Sequence, residues 1–212
     1  MFVAGFERYT VDSAAAAVRE YADSYGATIR YYDLGGPDEV DVLDEISPED
    51  LGRMVFINAR LSGADAGHLI RYDLVPKLHQ LSIDVRVDEV DFDPRANDPT
   101  YLAMVDAWSS LQALPNIGAA KASKLLHLKR PRLFPLIDSY VKRVYGPAAK
   151  DAGREVGSTS RHYWLPIAAD VKANAGEFVD LRDRLRDDAR TRQLVYLSDL
   201  RIQDVLAWRL AD

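Results

Sequence analysis

The sequence predicts an all-α fold with at most a minor β-hairpin, and three observations carry the prediction. Capping residues stand ahead of apolar positions spaced three and four apart. Strand-like alternation is short and weak, and no repeat or low-complexity tract interrupts the 212 residues. A cap at Asp12 or Ser13 opens a helix in which Val18, Tyr21, Ala22 and Tyr25 share a face, and Gly26 ends it. Ser47-Pro48-Glu49-Asp50 starts the next: a hydroxyl cap, proline in the first turn, then acids favoured by the helix dipole. Its apolar face is Leu51, Met54 and Val55, extending to Asn58. A helix from about Ala64 is expected to break or kink near Pro76, because proline lacks a backbone donor.

Asp98-Pro99 starts another helix, with Tyr101, Val105, Trp108 and Leu111 or Gln112 on one side. Ser160 or a neighbour opens one carrying Trp164, Ile167, Ala168 and Val171. Arg182 to Arg192 mixes five arginines with three aspartates, an exposed salt-bridged face. Ser198-Asp199 caps the last helix, with Ile202, Val205, Leu206 and Leu210 inward. The strand signals are Thr28 to Tyr32 and Ile83 to Val90, and Asp33-Leu34-Gly35-Gly36-Pro37 reads as a turn without a phosphate-binding glycine pattern. Only one of the adjacent Tyr31 and Tyr32 can face inward, which leaves the other as a candidate stacking group.

Apolar residues make up 48% of the chain, enough to bury a core, but no stretch is long and uncharged enough to span a bilayer. The N-terminus Met1-Phe2-Val3-Ala4-Gly5-Phe6-Glu7 lacks the basic and apolar regions of a signal peptide, so a cytoplasmic protein is expected. The absence of cysteine excludes disulfides, a cysteine nucleophile and a cysteine-ligated iron–sulfur cluster. His68, His79, His127 and His162 do not fall at paired ligand spacing, so neither a metal nor another cofactor is called for. Trp108, Trp164 and Trp208 sit at helical apolar positions suited to core.

Charge is uneven. The formal net charge is −6, yet Leu114 to Gly146 holds seven basic residues against the single acid Asp138. A basic island in an acidic body can hold a polyanion locally while the remainder repels it. Within the island, Leu114-Pro115-Asn116-Ile117-Gly118-Ala119-Ala120-Lys121-Ala122 joins two helices through a tight turn. Gly118 would let backbone approach an anion, and the following helix would aim free N–H groups at it. Lys121 and Lys124 add charge, Lys129, Arg130 and Arg143 are further candidate phosphate contacts, and Ile117 plugs the turn into the core. Such a unit grips phosphate and reads no bases.

The run Leu114-Pro115-x-Ile117-Gly118-x-x-x-Ala122, then Phe134-Pro135, then Asp138-Ser139-x-Val141-x-Arg143-Val144, resembles a block of the helix-hairpin-helix DNA glycosylases. These are the endonuclease III and adenine glycosylase kin, which read Leu-Pro-Gly-Val-Gly-x-Lys-Thr-Ala and later Phe-Pro-Val-Asp-Thr-His-Val-x-Arg-Val. Usage rich in Ala, Asp and Arg is also similar to an uncharacterised actinobacterial family with such a hairpin. The resemblance implies a glycosylase-like helical bundle, one unit of two interlocked lobes over 1–212, with the hairpin element and following helix at 114–146. It further implies a role in DNA repair, with Asn116, Gly118 and Ala119 at the phosphate backbone and Asp138 facing an extruded base, although Asp138 read by itself also suits a cap on the helix through Val141 and Val144.

The departures define what is missing. Asn116 replaces the first hairpin glycine, a change that asparagine tolerates in the left-handed region. Ala120 stands where bifunctional members carry their Schiff-base lysine, which removes lyase chemistry by that route. One extra residue precedes Asp138, and Tyr140 replaces a histidine. Three functions fit this reading. One is a monofunctional glycosylase that uses Asp138, another a DNA-binding module without chemistry, and the third a protein–protein adaptor.

Overall fold

The computed structural model describes residues 1–34, 44–156, 161–188 and 191–211, without the side chains of 154–156 and 161. The expectations for Gly35 to Pro37, Ser160 and Arg190 lie outside the described residues. The fold is all-α with one small β-hairpin. Its helices are α1 (Val11–Thr28), α2 (Pro48–Phe56), α3 (Gly63–Ile70), α4 (Val75–Leu78), α5 (Pro99–Gln112), α6 (Ala119–Lys129), α7 (Ser139–Val156), α8 (Trp164–Ala173), α9 (Ala175–Arg186) and α10 (Asp199–Ala211). The hairpin pairs β1 (Phe2–Val3) antiparallel to β2 (Phe6–Glu7) through Ala4 and Gly5, both at positive φ, as a two-residue hairpin turn requires. Among the described residues no helix is long and apolar enough to cross a membrane.

Caps set the helix starts. Ser47 and Asp50 form a reciprocal capping box at α2, as Ser62 and Asp65 do at α3. Asp98 accepts from the amides of Thr100 and Tyr101 at α5, and Ser198 Oγ accepts from the Arg201 amide at α10. At α1 the cap is Thr10 rather than Asp12 or Ser13: its hydroxyl accepts from the Ser13 amide at 3.2 Å, and Ser13 Oγ accepts from the Thr10 amide at 2.9 Å. Helical geometry in α1 breaks at Tyr25, one residue ahead of the expected stop at Gly26, and resumes to Thr28. Pro76 does not kink a long helix. The chain leaves α3 at Ile70, and Pro76 sits in the first turn of α4, where its missing N–H has no bond to make.

Both expected strands are absent. Ile29–Asp33 is a π-helical turn, because Ile29 and Tyr32, three residues apart, both bury their side chains and Thr28 Oγ1 donates to the Phe56 carbonyl at 2.7 Å. In 83–90 only Val87 is fully buried, within a 3-10 turn (Val87–Glu89) whose first amide donates to the Arg132 carbonyl. Three residues of the expected apolar faces point out: Tyr25, Val55 and Leu210 are exposed, and Asn58 leaves the helical region at a φ of +57°.

The chain divides into two compact units. One joins residues 1–26 to 138–212 and packs Val18, Trp164, Phe178, Leu181, Ile202 and Leu206 in its core. The other, residues 27–137, packs Leu69, Leu78, Met104, Trp108, Leu111 and Leu126. In this second unit α6 is the central helix, for every residue from Ala122 to Arg130 is buried. The boundary falls between Ile137 and Asp138 and so cuts the 114–146 segment.

Candidate nucleic-acid interface

The hairpin joins α5 to α6 in the 27–137 unit. Asp98 opens α5, which ends at Gln112; the Ile117 amide then turns back to the Leu114 carbonyl, and Ile117 is buried as the plug of the turn. Asn116 takes a φ of +63°, so asparagine occupies the left-handed position that the glycosylase pattern gives to glycine. The carbonyls of the turn are held from inside the protein: Lys121 Nζ donates to Asn116 O at 3.0 Å, and His68 Nδ1 lies 3.3 Å from Pro115 O.

Gly118 is the N-cap of α6, and it is exposed. The amides of Lys121 and Ala122 both turn back to its carbonyl, at 3.1 and 3.0 Å. The N–H groups of Gly118, Ala119 and Ala120 meet no protein acceptor among the described residues, and no side chain caps the helix. Gly118 lies at φ −82°, ψ 177°, extended backbone open to any residue, and a Cβ there would meet nothing within 4 Å. Neither conformation nor packing within the protein calls for glycine at this position.

Three of the seven basic residues of the island, Lys124, Lys129 and Arg130, are buried, which corrects the expectation that they face a polyanion; Arg132, Lys142 and Arg143 are exposed. Lys124 is buried, with Nζ 3.2 Å from the Asn58 carbonyl. Lys129 is 2% exposed and bonds both Asp50 and the Glu45 carbonyl at 2.6 Å; burial pulls its ammonium pKa down. Arg130 is buried on the carbonyls of Leu78 and Leu81 and on Asp44 at 2.8 Å. Lys121 is partly exposed but bound to Asp65 at 2.8 Å, and this hydrogen bond, with the Ser62 amide behind it, lowers the Asp65 pKa to about 2. Arg143 donates to the Ala211 carbonyl and lies over the Tyr140 ring. A central helix must bury whatever its sequence places all round it, and the apolar spread of Ala122, Leu125, Leu126 and Leu128 was the available sign that α6 is central.

Asp138 belongs to the other unit. It is half-buried and caps α7: Oδ1 accepts from the amides of Tyr140 (2.9 Å) and Val141 (3.0 Å), while Oδ2 has no protein partner among the described residues. His127, the histidine of the basic helix, is buried on the Phe134 carbonyl at 2.8 Å. No group of three or more metal-ligating side chains occurs among the described residues. Of the tyrosine pair, Tyr32 is buried with its hydroxyl on the Lys124 carbonyl, and Tyr31 is exposed.

The chain belongs to a family of unknown function (DUF6308), whose model matches residues 14–211. No curated protein and no solved structure matches it.

Proposed function

For a chain whose family leaves the activity open, we propose that it binds DNA through the phosphate backbone at the start of α6. One observation carries the reading. The N–H groups of exposed Gly118 and half-buried Ala119 and Ala120 stand uncapped among the described residues, behind a glycine that neither backbone conformation nor packing requires. An anion at that point accepts from those groups and meets the positive end of the helix dipole. The buried cations give the site little surface charge, so contact is made by backbone rather than by a lysine comb, and affinity falls with salt through few released counterions.

The test is Gly118→Val. The site accommodates a side chain without strain, so the variant should fold and melt within about 1 kcal/mol of the parent. Binding of a labelled duplex, followed by fluorescence anisotropy, should weaken at least tenfold. Unchanged duplex affinity in a folded Gly118→Val protein overturns the proposal.

A second reading, a monofunctional glycosylase, is favoured by the unpartnered Oδ2 of Asp138. Asn retains the cap through its own side-chain oxygen. In this reading Asp138→Asn keeps stability and DNA affinity but abolishes release of a damaged base from a lesion-bearing duplex. Equal base release by variant and parent removes it.

A further inference from the structure

In the 27–137 unit, Tyr31 and Phe56 stack on each other at 4.8 Å between ring centres and 26° between planes. They are 48% and 43% exposed, so each residue keeps a large part of its surface open to water even after stacking. Four residues ahead of Phe56, on the same face of α2, is Gly52, which puts no side chain over the ring. Arg30, next to Tyr31, and Arg60, four residues beyond Phe56, are exposed and have no carboxylate partner among the described residues. Lys77, Arg86, Lys121, Lys129, Arg130 and Arg132 of the same unit are each paired with an acid, whereas exposed Arg71 and Arg95, like Arg30 and Arg60, have no acid partner among the described residues.

These features are pinned along α6. Tyr32, beside Tyr31, bonds the Lys124 carbonyl, and the Asn58 carbonyl, just past Phe56, accepts from Lys124 Nζ. Farther along the chain, Asp65 is held by Lys121, one turn nearer Gly118. Arg60 lies between these two anchors. Lys124 is six residues after Gly118, about 9 Å along the helix axis. The segments that carry the ring pair and Arg60 are therefore tied to α6 within about two turns of its open start.

We infer that the stacked pair Tyr31–Phe56 is a platform for unpaired bases of a DNA strand, with Arg60 and Arg30 on its phosphates. Exposed aromatic rings, with arginines near them in sequence that have no acid partner among the described residues, suit a single strand: every base presents a π face, and every linkage a negative charge. The inference rests on the reading that the start of α6 holds phosphate, and extends it from duplex backbone to exposed bases, as at a gap, bubble or single-stranded end.

The experiment compares labelled oligo-dT with a duplex of equal length, by anisotropy, on the full chain. Tyr31→Ala combined with Phe56→Ala should weaken oligo-dT binding about tenfold or more while duplex affinity stays within twofold. Tyr31→Trp should retain or tighten oligo-dT binding, and Arg60→Gln should weaken it and lessen its salt dependence. All three positions are exposed, so a thermal melt should report folded protein in each case. Oligo-dT binding by the double variant equal to the parent overturns the inference. Parent protein that binds duplex but not oligo-dT overturns it while the phosphate reading stands; binding of neither overturns both. A parent dimer that the double variant abolishes shows that the patch belongs to a second copy of the chain, and also overturns it.

Discussion

The two units bury polar groups in different proportions of ion pair and neutral hydrogen bond. In the 27–137 unit the polar interior is ionic, with Lys129 on Asp50, Arg130 on Asp44 and Lys121 on Asp65. In the unit built from 1–26 and 138–212 one buried ion pair, Arg201 with Asp204, stands beside a hydrogen-bonded network around the N-terminal hairpin. Tyr145 donates to Asp170 at 2.7 Å, Asn174 exchanges bonds with the Phe2 backbone, and Gln203 joins Asn174, Tyr145 and the Phe2 carbonyl. Burial pushes the Asp170 carboxyl up, and the Tyr145 hydroxyl and Gly5 amide that donate to it pull it back. The ionic interior binds side chains far apart in sequence to one helix, whereas the hydrogen-bonded one ties a strand's backbone to side chains. A buried ion pair is costly to break because its survivor is an unpaired charge; a hydrogen-bonded network loses bonds one at a time.

Lys129→Ala should break this contrast open most widely. It leaves Asp50 buried without its ammonium, at a cost of about 3–5 kcal/mol, a large part of a domain's stability. Chemical denaturation should show it, and Lys129→Met with Asp50→Asn should recover much of the loss. If the single variant costs less than about 1 kcal/mol, the ionic interior does not hold the unit together.

Asn174→Ala in the other unit should cost less, about 1–3 kcal/mol, because it orphans the Phe2 amide and part of Gln203 without stranding a charge. Its denaturation midpoint should shift with the slope unchanged. A loss as large as that of Lys129→Ala would erase the distinction between the two interiors.

The smallest effect separates the units by pH. Asp65 is held at about 2 against an ordinary 3.8, so its stabilising contribution is complete above about pH 4 and is lost as pH falls toward 2. Asp170 is raised, so its contribution runs the other way and is lost as pH rises through its folded value. Hydrogen exchange between pH 4 and 2 should show the amides of α3 and α6 losing protection, and Asp65→Asn should flatten that dependence. PH-independent protection at α3 in the parent protein contradicts the assignment.

Much of the helical plan was legible because caps are local chemistry. Ser47, Asp98 and Ser198 each act within three residues of themselves, and proline after a cap has one reading. The start of α1 was misplaced for the same reason: Thr10, Asp12 and Ser13 all have capping side chains, and only geometry selects among them. Thr28 to Tyr32 looked extended because two of its β-branched or aromatic residues alternate, yet packing buries Ile29 and Tyr32 at helical spacing. Of the stacking surface, adjacency alone indicated that one of Tyr31 and Tyr32 must face out. Phe56, Arg30 and Arg60 carried no sequence signal, because nothing local marks a residue that distant segments leave uncovered.

The sequence by itself determined the all-α class, most helix starts, and the hairpin turn with Asn116 at positive φ and Ile117 inward, since each depends on residues within one or two turns. Only the tertiary structure decided where the charge goes. Seven basic residues between Leu114 and Gly146 read as a surface for a polyanion, but Lys121, Lys129 and Arg130 find Asp65, Asp50 and Asp44 from segments some fifty to ninety residues earlier. Charge is counted along a chain, but it acts through space. A helix placed at the centre of its unit draws acids from all sides, and this leaves the uncapped amides at its start as its open polar face.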